Sequence, residues 1–388
     1  MMVFSFLTID HYYAANFPET IFEGSFCDIN AFFNCDSSAF SNISQIAGVP
    51  LGYFGLFVGG LVSLGALFPS RGFERTNKSI ALLNVLGVVA LFSYTVFVLG
   101  SLCLLCTGFY LFSVLSFILF WRYGTDGAAT NFSRRWVRPS ALHVLIFGVL
   151  MLTGAFGFSR YHDARADAQS GGVQTRVVEQ FFSLPEVPLP SVLSPFWSIR
   201  STEDFTDAPV QIVEYADLLC SDCKRAADQL HRLQEEFPGR MNVVFQPFPL
   251  EAACNDVVEK DLHPGACEIT YMATHDPEKF NAIHDEIWSS WPDPKDPEWR
   301  RELGERFGVT GGVEDPETRA LVHTLIETGK EYEKTSEEYS YGIRSTPTMI
   351  LNGRMIIGTL PYEQLRAIVE AIIVRVEGGD RFIESWEG

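Results

Sequence analysis

Long uncharged apolar stretches dominate the first 160 residues of the chain. No charged side chain occurs in three stretches, residues 37–70, 79–121 and 139–159. A helix needs about 20 apolar residues to cross a bilayer. These stretches therefore predict four membrane-spanning helices, at residues 47–68, 80–100, 101–120 and 139–158. Within the longest stretch, Gly100 and Ser101 mark the predicted turn between two spans.

The short segments between the predicted spans indicate how the chain is oriented. Segment 69–78 carries three Lys or Arg side chains, and segment 121–138 carries four. Because short cationic loops stay in the cytoplasm, we expect both segments on the inner side of the membrane. Segment 10–46, the turn between the second and third spans, and everything after Phe158 should then lie outside.

Composition divides the chain into four predicted parts: a membrane domain at 1–158, a linker at 159–207, an α/β domain at 208–378 and a tail at 379–388. Glycine and proline are frequent in the linker, as is usual for such segments. Within it, apolar side chains from Val177 to Leu184 follow helical spacing. Two interpretations of this short helix remain open: it lies on the membrane surface, or it packs against the next domain.

Beyond the linker, short apolar runs alternate with amphipathic ones. The pattern predicts strands and helices in the order strand 210–215, helix 224–237, strand 242–246, helix 315–341, strands 348–351 and 355–358, and helix 361–376. Residues 252–308 form a mostly helical insertion. Asp315 and Pro316 are typical of a helix N-terminus, and Asn352-Gly353 is typical of a hairpin turn. This order predicts an α/β thioredoxin-like domain with a helical insertion, following an α-helical membrane bundle.

The charge distribution separates the two halves of the chain. The whole chain carries a net charge of −19, yet its first 160 residues hold eight basic and seven acidic side chains. The remainder holds 21 basic and 41 acidic side chains. This acid excess disfavours nucleic acid as a partner, and a hydrophobic content of 47% excludes a disordered chain. The composition indicates a membrane protein with an acidic globular domain.

Eight cysteines form four local pairs, Cys27/Cys35, Cys103/Cys106, Cys220/Cys223 and Cys254/Cys267. All of them lie in the predicted outer compartment or at its membrane border, where an even number of cysteines favours disulfides. We expect a structural disulfide between Cys254 and Cys267, which flank part of the insertion. For Cys27 and Cys35, a structural bond and a mobile shuttle disulfide both remain open.

Cys220 and Cys223 follow a predicted strand and open a predicted helix. A thiol at this place meets unpaired N–H groups and the positive end of the helix dipole, which favour the thiolate. Cys220 is therefore the expected nucleophile, and Cys223 is the resolving thiol. Glu214, on the preceding strand, is the acid expected to exchange the proton of Cys223. Thr346-Pro347 stands where this fold places a cis-proline facing the disulfide.

Two other interpretations of this pair are a zinc site shared with Cys254 and Cys267 and an inert structural bridge. The C-x-x-C spacing alone does not separate them. The preceding strand, the helix start and the Thr-Pro dipeptide together favour redox chemistry. We therefore expect no metal ion.

Cys103 and Cys106 lie in an uncharged run, at positions that share one face of a predicted helix. Since this span is predicted to start at the outer surface near Ser101, Cys106 should lie about 4.5 Å deeper than Cys103. Two small apolar side chains packed between helices remain an open interpretation.

The first half of the chain resembles the bacterial vitamin K epoxide reductase homologues in Cys27, Cys35, segments 36–41 and 46–52, and Cys103-Leu104-Leu105-Cys106. The second half is similar to the DsbA-like thioredoxin domains to which these homologues are often fused. The residues that carry this similarity are Cys220, Cys223, Glu214, Thr346 and Pro347. The two resemblances together cover most of the chain.

The resemblance implies an electron relay in the bacterial cytoplasmic membrane, with the thioredoxin-like domain on the periplasmic side. That domain oxidises cysteines of exported proteins, and Cys27 then takes its electrons. Cys35 passes them to Cys103, and Cys106 faces a quinone, either ubiquinone or menaquinone. Ser41 matches a hydroxyl position near the quinone, and a helix cap or turn residue is the other interpretation. The implied partners are exported cysteine-containing proteins, membrane lipid and quinone.

The chain departs from the family pattern in two places. One further span usually precedes the Cys27 loop, and here only residues 1–16 stand before it. DsbA-like oxidants commonly carry a histidine before the second cysteine, and this chain has Asp222. Because a nearby carboxylate opposes the Cys220 thiolate, we expect a weaker oxidant than DsbA.

Three other functions share these residues. The first is a periplasmic disulfide reductase or isomerase fed by a membrane donor. Cysteine is absent from both predicted inner segments, 69–78 and 121–138, which favours oxidation. The second is a membrane-anchored binding domain with structural disulfides, and the third is epoxide reduction of a vitamin K compound.

Overall fold

The computed structural model describes residues 1–16, 35–39, 41, 43–46, 49–68, 71–99, 102–123, 141–259, 261–333 and 342–378. Contacts divide the chain into two compact units, with the division between Gly172 and Val173. The described part of the N-terminal unit is mainly helical, and the C-terminal unit is built on a five-stranded sheet.

The helices of the N-terminal unit are α1 (Met2–Asn16), α2 (Cys35–Ala39), α3 (Leu51–Leu67), α4 (Arg71–Tyr94), α5 (Leu104–Tyr123) and the first part of α6 (Ala141–Ser183). A π-helical turn, Thr95–Leu99, extends α4. Strands β1 (Gln45–Ile46) and β2 (Val49–Pro50) pair antiparallel just before α3. Helices therefore occupy all four predicted spans, although α4 begins before the predicted start of its span and α6 ends well after the predicted end of its span.

Apolar helices long enough to cross a membrane are present among the described residues. Two qualify by length and composition, Thr76–Leu99 and Leu104–Arg122. Leu51–Leu67 and Ala141–Gly157 are apolar but shorter. Helix α6 continues far beyond the predicted end of the last span.

Helix α1 is longer than the apolar stretch at residues 3–9 that the sequence shows. It packs against α3 and α5. A Cβ atom on Gly52 of α3 would lie 2.9 Å from the carbonyl oxygen of Ser5, so the absence of a side chain there permits the close approach. The helix continues through His11 and Tyr12 because both side chains are buried in the unit.

The C-terminal unit contains five strands, β3 (Trp197–Arg200), β4 (Val210–Ala216), β5 (Met241–Pro247), β6 (Thr348–Leu351) and β7 (Arg354–Ile357). Its helices after α6 are α7 (Ser221–Glu236), α8 (Ala266–Thr274), α9 (Phe280–Ser289), α10 (Pro297–Phe307), α11 (Pro316–Glu327) and α12 (Tyr362–Glu377). The strand order is β3-β5-β4-β6-β7. Only β4 and β5 are parallel neighbours. The predicted thioredoxin-like fold with a helical insertion, α8 to α10, is confirmed.

Residues 159–207, predicted as a linker, contain regular structure. Helix α6 runs to Ser183, and β3 pairs antiparallel with β5 at the edge of the sheet. Val177, Phe181 and Leu184 are buried in the core formed by the sheet and α12. The helix therefore packs against its own domain, which is the second of the two interpretations. The linker prediction was wrong here because Gly171 and Gly172 lie inside a helix that tertiary packing stabilises, and the prolines lie between α6 and β3.

Local sequence signals in the C-terminal unit are confirmed. The Asp315 carboxylate accepts a hydrogen bond from the Thr318 N–H at 2.9 Å, and Pro316 is the first residue of α11. Asn352 and Gly353 have positive φ angles of 40° and 76°, as the tight turn between β6 and β7 requires. This framework places the end of β4, the start of α7 and the start of β6 beside one another.

Candidate functional site

Cys220 and Cys223 lie where β4 leads into α7. Cys220 is the residue before the first turn of α7, and Cys223 lies within that turn. Both are free thiols in the structure. The side chain of Cys220 is 5% exposed and that of Cys223 is completely buried. Cys220 is thus the more accessible sulfur for an attacking substrate.

The surroundings favour a thiolate on Cys220. A hydrogen bond from the Cys223 thiol lowers the pKa of Cys220. Burial raises the pKa of Cys223 well above its usual value, although the Asp217 N–H donates to its sulfur at 3.4 Å. A proton shared by the two thiols therefore stays on Cys223.

Glu214 lies in the middle of β4, opposite Met349 of β6. Its side chain is 1% exposed. Burial, together with the negative charge of Cys220, raises the pKa of Glu214 to about 8. The carboxyl group is therefore protonated at neutral pH, as an acid that exchanges a proton with a thiol must be.

Thr346 and Pro347 form a cis peptide just before β6. The Cys220 thiol donates to the Thr346 carbonyl oxygen at 3.7 Å. The Pro347 carbonyl oxygen accepts from the Gly358 N–H at 2.8 Å, which ties this loop to the end of β7. The loop therefore lies directly against the accessible sulfur.

Asp217 and His263 belong to the same site, and the sequence analysis missed them. Asp217 Oδ2 is 2.7 Å from Nδ1 of His263, and both side chains are buried. Burial alone would lower the pKa of His263, but the Asp217 carboxylate raises it to about 9. His263 is therefore a cation at neutral pH. The signals available were an aspartate three residues before Cys220 and a histidine inside the cysteine-flanked part of the insertion.

Cys254 and Cys267 form a disulfide with Cα atoms 5.9 Å apart. Their sulfurs are bonded to each other, so they are not available as zinc ligands. Among the residues that the structure describes, no group of three or more His, Cys, Asp or Glu side chains is arranged to hold a metal ion. The bond closes the loop that carries His263.

Cys103 and Cys106 lie at the start of α5. Cys103 directly precedes the helix, and its sulfur accepts a hydrogen bond from the Cys106 N–H at 3.3 Å. The Cys103 carbonyl oxygen accepts from both the N–H and the hydroxyl of Thr107, each at 2.9 Å. Both cysteines are free thiols in the structure.

Cys35 is the first residue of α2 and is fully buried. It is disulfide-bonded in the structure. Cys35 and Cys103 belong to one apolar cluster, against which Cys106 also packs. The structure therefore brings together three of the four cysteines predicted for this half of the relay. Cys27 lies outside the described residues.

A pocket of about 520 Å³, counting the space at its open mouth, lies beside these cysteines. Its walls include Cys35, Cys103, Cys106, Ser41, Thr8, His11, Tyr12, Thr95, Tyr110 and Leu91. The Ser41 hydroxyl donates to the Ser38 carbonyl oxygen at 2.8 Å. Ser41 therefore lines the pocket and also stabilises a turn, so both interpretations of this residue fit the structure.

The lining of the pocket has the chemistry of a small-molecule site. Such sites combine apolar walls with a few polar groups. Here the polar groups include Thr8 and His11 of α1 and Tyr110 of α5. Sequence reasoning missed all three. Tyr110 lies one helical turn after Cys106, a spacing that could have identified it.

Comparisons with known proteins agree with this division. The family described as "Vitamin K epoxide reductase family" matches residues 1–121, and the family described as "Thioredoxin" matches residues 205–371. "Disulfide bond formation protein D" of Bacillus subtilis is 24% identical over 177 residues, which is 42% of this chain and 72% of that protein.

Solved structures similar to this chain include two thioredoxin-like proteins. A periplasmic thioredoxin-like protein from Salmonella enterica is 14% identical, with a TM-score of 0.34, covering 52% of this chain and 97% of its own. The oxidoreductase DsbA from Xylella fastidiosa is also 14% identical, with a TM-score of 0.33, covering 50% of this chain and 96% of its own.

Proposed function

We propose that this chain, which joins a domain of the vitamin K epoxide reductase family to a thioredoxin domain, is a membrane oxidase that forms disulfides in exported proteins and passes the electrons to a quinone. The two domains make it a thiol–disulfide oxidoreductase. The observation that carries the rest is the pocket in which Cys35, Cys103 and Cys106 meet. A cysteine pair that lines a pocket is accessible to a small oxidant or reductant that enters it.

The first reaction takes place at Cys220. A substrate thiolate attacks Sγ of Cys220 in the oxidised Cys220–Cys223 bond, and Cys223 leaves with the electron pair. Protonated Glu214 supplies the proton that Cys223 then takes up. A second substrate thiolate attacks the mixed disulfide, and Cys220 leaves as a thiolate. The substrate has lost two electrons and two protons, and the thioredoxin domain is reduced.

The second reaction returns the domain to its oxidised state. The Cys220 thiolate attacks Cys27 in a Cys27–Cys35 disulfide, and Cys35 leaves as a thiolate. Cys223 then attacks Cys220, which re-forms the Cys220–Cys223 disulfide and releases Cys27. Cys35 attacks Cys103 in a Cys103–Cys106 disulfide, and the Cys106 thiolate is released at the pocket. Cys27 then attacks Cys35, which re-forms the Cys27–Cys35 disulfide and leaves Cys103 and Cys106 reduced. The packing of Cys35 with Cys103 supports this order.

The pocket receives the electrons at the end of the sequence. His11 and Tyr110 would hold a quinone at this pocket, where it would serve as the acceptor of two electrons and two protons. Cys106 faces the pocket as the electron donor, and Thr8, His11, Ser41 and Tyr110 place polar groups at its wall. Ubiquinone and menaquinone both have the ring that this pocket would hold.

The apolar helices and the cationic segments between them indicate where the protein is located. The apolar helices support a multi-pass protein of the bacterial cytoplasmic membrane. The cationic segments predict that the thioredoxin domain lies on the extracytoplasmic side. Cysteine thiols of exported proteins are available there, and the quinone is available in the membrane.

Trapping of the mixed disulfide tests this function. A Cys223→Ala chain lacks the resolving thiol, so Cys220 should remain bonded to Cys27 or to a substrate protein. Mass spectrometry of the non-reduced, alkylated chain detects the Cys220–Cys27 peptide. A Cys220→Ala/Cys223→Ala chain is the control and should show no such species. The absence of both adducts in the Cys223→Ala chain would contradict the proposal.

A further inference from the structure

The Asp217–His263 pair lies next to the redox cysteines, Cys220 and Cys223. The Asp217 carbonyl oxygen accepts the Cys220 N–H at 3.1 Å, and the Asp217 N–H reaches Sγ of Cys223 at 3.4 Å. The carboxylate is completely buried and His263 is 5% exposed. A buried ion pair that touches the active-site backbone on one side has an electrostatic effect on the sulfurs.

Of the two charges in the pair, the positive charge of His263 has the stronger effect on the pKa of Cys220. The Asp217 carboxylate is held by the N–H groups of Leu219 and Leu250, each at 2.6 Å, in addition to His263. Of the charges near Cys220, that of His263 has the largest effect on its pKa and lowers it, while Asp217 raises it by less. In return, the charge of Cys220 contributes to the raised pKa of His263.

The other charged groups facing Cys220 partly cancel. Asp222 forms an ion pair with Arg225 one turn along α7. Lys295, from the segment between α9 and α10, is half-buried and feels the charge of Cys220. Glu214 is protonated at neutral pH. Asp222 nevertheless raises the pKa of Cys220, and the positive charge of His263 lowers that pKa by more.

The loop that carries His263 is held on both sides. The N–H groups of Leu262 and His263 both donate to the Leu250 carbonyl oxygen, at 2.9 and 3.1 Å. The Glu251 carboxylate accepts the N–H groups of Gly265 and Cys267. The Cys254–Cys267 disulfide closes the loop. The imidazole is thus fixed in place, as an electrostatic role requires.

We propose that His263, anchored by Asp217 and by the Cys254–Cys267 loop, is the positioning residue that stabilises the Cys220 thiolate and strengthens the Cys220–Cys223 pair as an oxidant. It supplies from the insertion the positive charge that a histidine between the two cysteines would supply. When Cys220 leaves the mixed disulfide, it keeps the electron pair of the broken S–S bond. His263 stabilises that charge without transferring a proton. This inference rests on the proposed redox activity of the thioredoxin domain alone.

The pH dependence of Cys220 alkylation tests the role of His263. The full chain in detergent, with Cys220 and Cys223 reduced and the Cys254–Cys267 disulfide kept, is treated with iodoacetamide from pH 4 to pH 10, and fragment ions separate Cys220 from Cys223. His263→Gln should raise the alkylation midpoint of Cys220 by about one pH unit or more, because the Asp217 charge is left unbalanced. An unchanged midpoint would overturn the proposal. His275→Gln, at an exposed histidine paired with Thr318, is the matched control and should leave it unchanged.

A double variant separates the charge effect from a folding defect. Asp217→Asn/His263→Gln removes both charges and keeps hydrogen-bonding groups at both positions. Its midpoint should lie between those of the wild type and His263→Gln. A midpoint at or below that of the wild type would contradict the proposal, even where the single variant does not fold.

The equilibrium with glutathione gives a second readout. His263→Gln should shift the Cys220/Cys223 pair toward the disulfide by roughly tenfold, or about 30 mV for a two-electron couple. An unchanged equilibrium would contradict the proposal. Neither the alkylation nor the glutathione measurement needs a quinone. Both results would therefore remain valid if the membrane relay were disproved.

Discussion

The backbone N–H of Cys106 donates a hydrogen bond to the sulfur of Cys103 at 3.3 Å, at the point where α5 begins. Residues three apart on a helix lie close enough for their side chains to meet. The pair can therefore alternate between dithiol and disulfide with little movement of the backbone. Because the same two residues line the pocket, oxidation of this pair is the expected exit for electrons.

Loss of Cys106 should stop quinone reduction. Without it, Cys103 has no partner for a disulfide at the pocket, so we expect Cys106→Ala to lower the rate at least 100-fold, measured by quinone absorbance under anaerobic conditions. One round of substrate oxidation by the thioredoxin domain should persist. Ser113→Ala, at a buried position on the same helix outside the pocket wall, should retain the full rate. A Cys106→Ala chain with more than a tenth of the wild-type rate would contradict this role.

The Tyr110 hydroxyl should contribute to quinone affinity. Removing one hydrogen-bond donor from a pocket costs about 1 kcal/mol, or several-fold in affinity. Tyr110→Phe should therefore raise the KM for quinone several-fold and leave thiol exchange with glutathione unchanged. An unaltered KM for both ubiquinone and menaquinone would show that the ring does not reach this side of the pocket.

Folding keeps Glu214 protonated at neutral pH. The thioredoxin domain should therefore become less stable as the pH rises. Its pKa is about 8 in the folded state and near 4.3 in an unfolded chain. A carboxyl group whose pKa is raised by folding contributes stability below the unfolded value, and this contribution falls as the pH rises toward 8. We expect Glu214→Gln to reduce that decline by a few kcal/mol. Denaturant midpoints of both chains at pH 5 and pH 8 measure this loss of stability. An equal loss in the wild type and in Glu214→Gln would contradict the raised pKa of Glu214.

The same substitution should slow proton exchange at Cys223. Glutamine cannot donate or accept the proton that the carboxyl group exchanges with the buried thiol. General acid–base catalysis contributes about 100-fold or more, so resolution of a glutathione mixed disulfide on Cys220 should slow by one to two orders of magnitude in Glu214→Gln. Stopped-flow measurements at pH 7 follow this step. A wild-type rate would mean that water accepts the proton of Cys223.

Removal of the Asp315 cap should destabilise the domain without changing its chemistry. The carboxylate accepts hydrogen bonds from the N–H and hydroxyl of Thr318. Loss of such a cap costs about 1 kcal/mol. Asp315→Ala should lower the denaturant midpoint accordingly and leave Cys220 alkylation unchanged. A changed alkylation profile would reveal an unexpected connection between α11 and the active site.

Local signals made much of the thioredoxin domain predictable from its sequence. Asn352-Gly353 fixes the hairpin through its two positive φ angles, and Asp315 with Pro316 fixes the start of α11. In each case neighbouring residues determine the conformation. Cys220 and Cys223 were assigned for the same reason, since strand, turn and helix start are contiguous in the chain.

Features that depend on distant contacts were not predictable. Strand β3 is short, and its pairing with β5 comes from tertiary contacts. His263 joins the site across 46 positions from Asp217, and no spacing rule connects them. Helix α1 reads as a short apolar stretch, and only its packing against α3 and α5 places Thr8 and His11 at the pocket.

The most direct measurement of the central claim is the stoichiometry of electron transfer by the full chain in liposomes. The liposomes contain either ubiquinone or menaquinone, and a reduced two-cysteine protein is added outside under anaerobic conditions. We expect one quinone reduced for each disulfide formed, with at least one of the two quinones. Disulfide formation without quinone reduction, or no reaction with either quinone, would contradict the account.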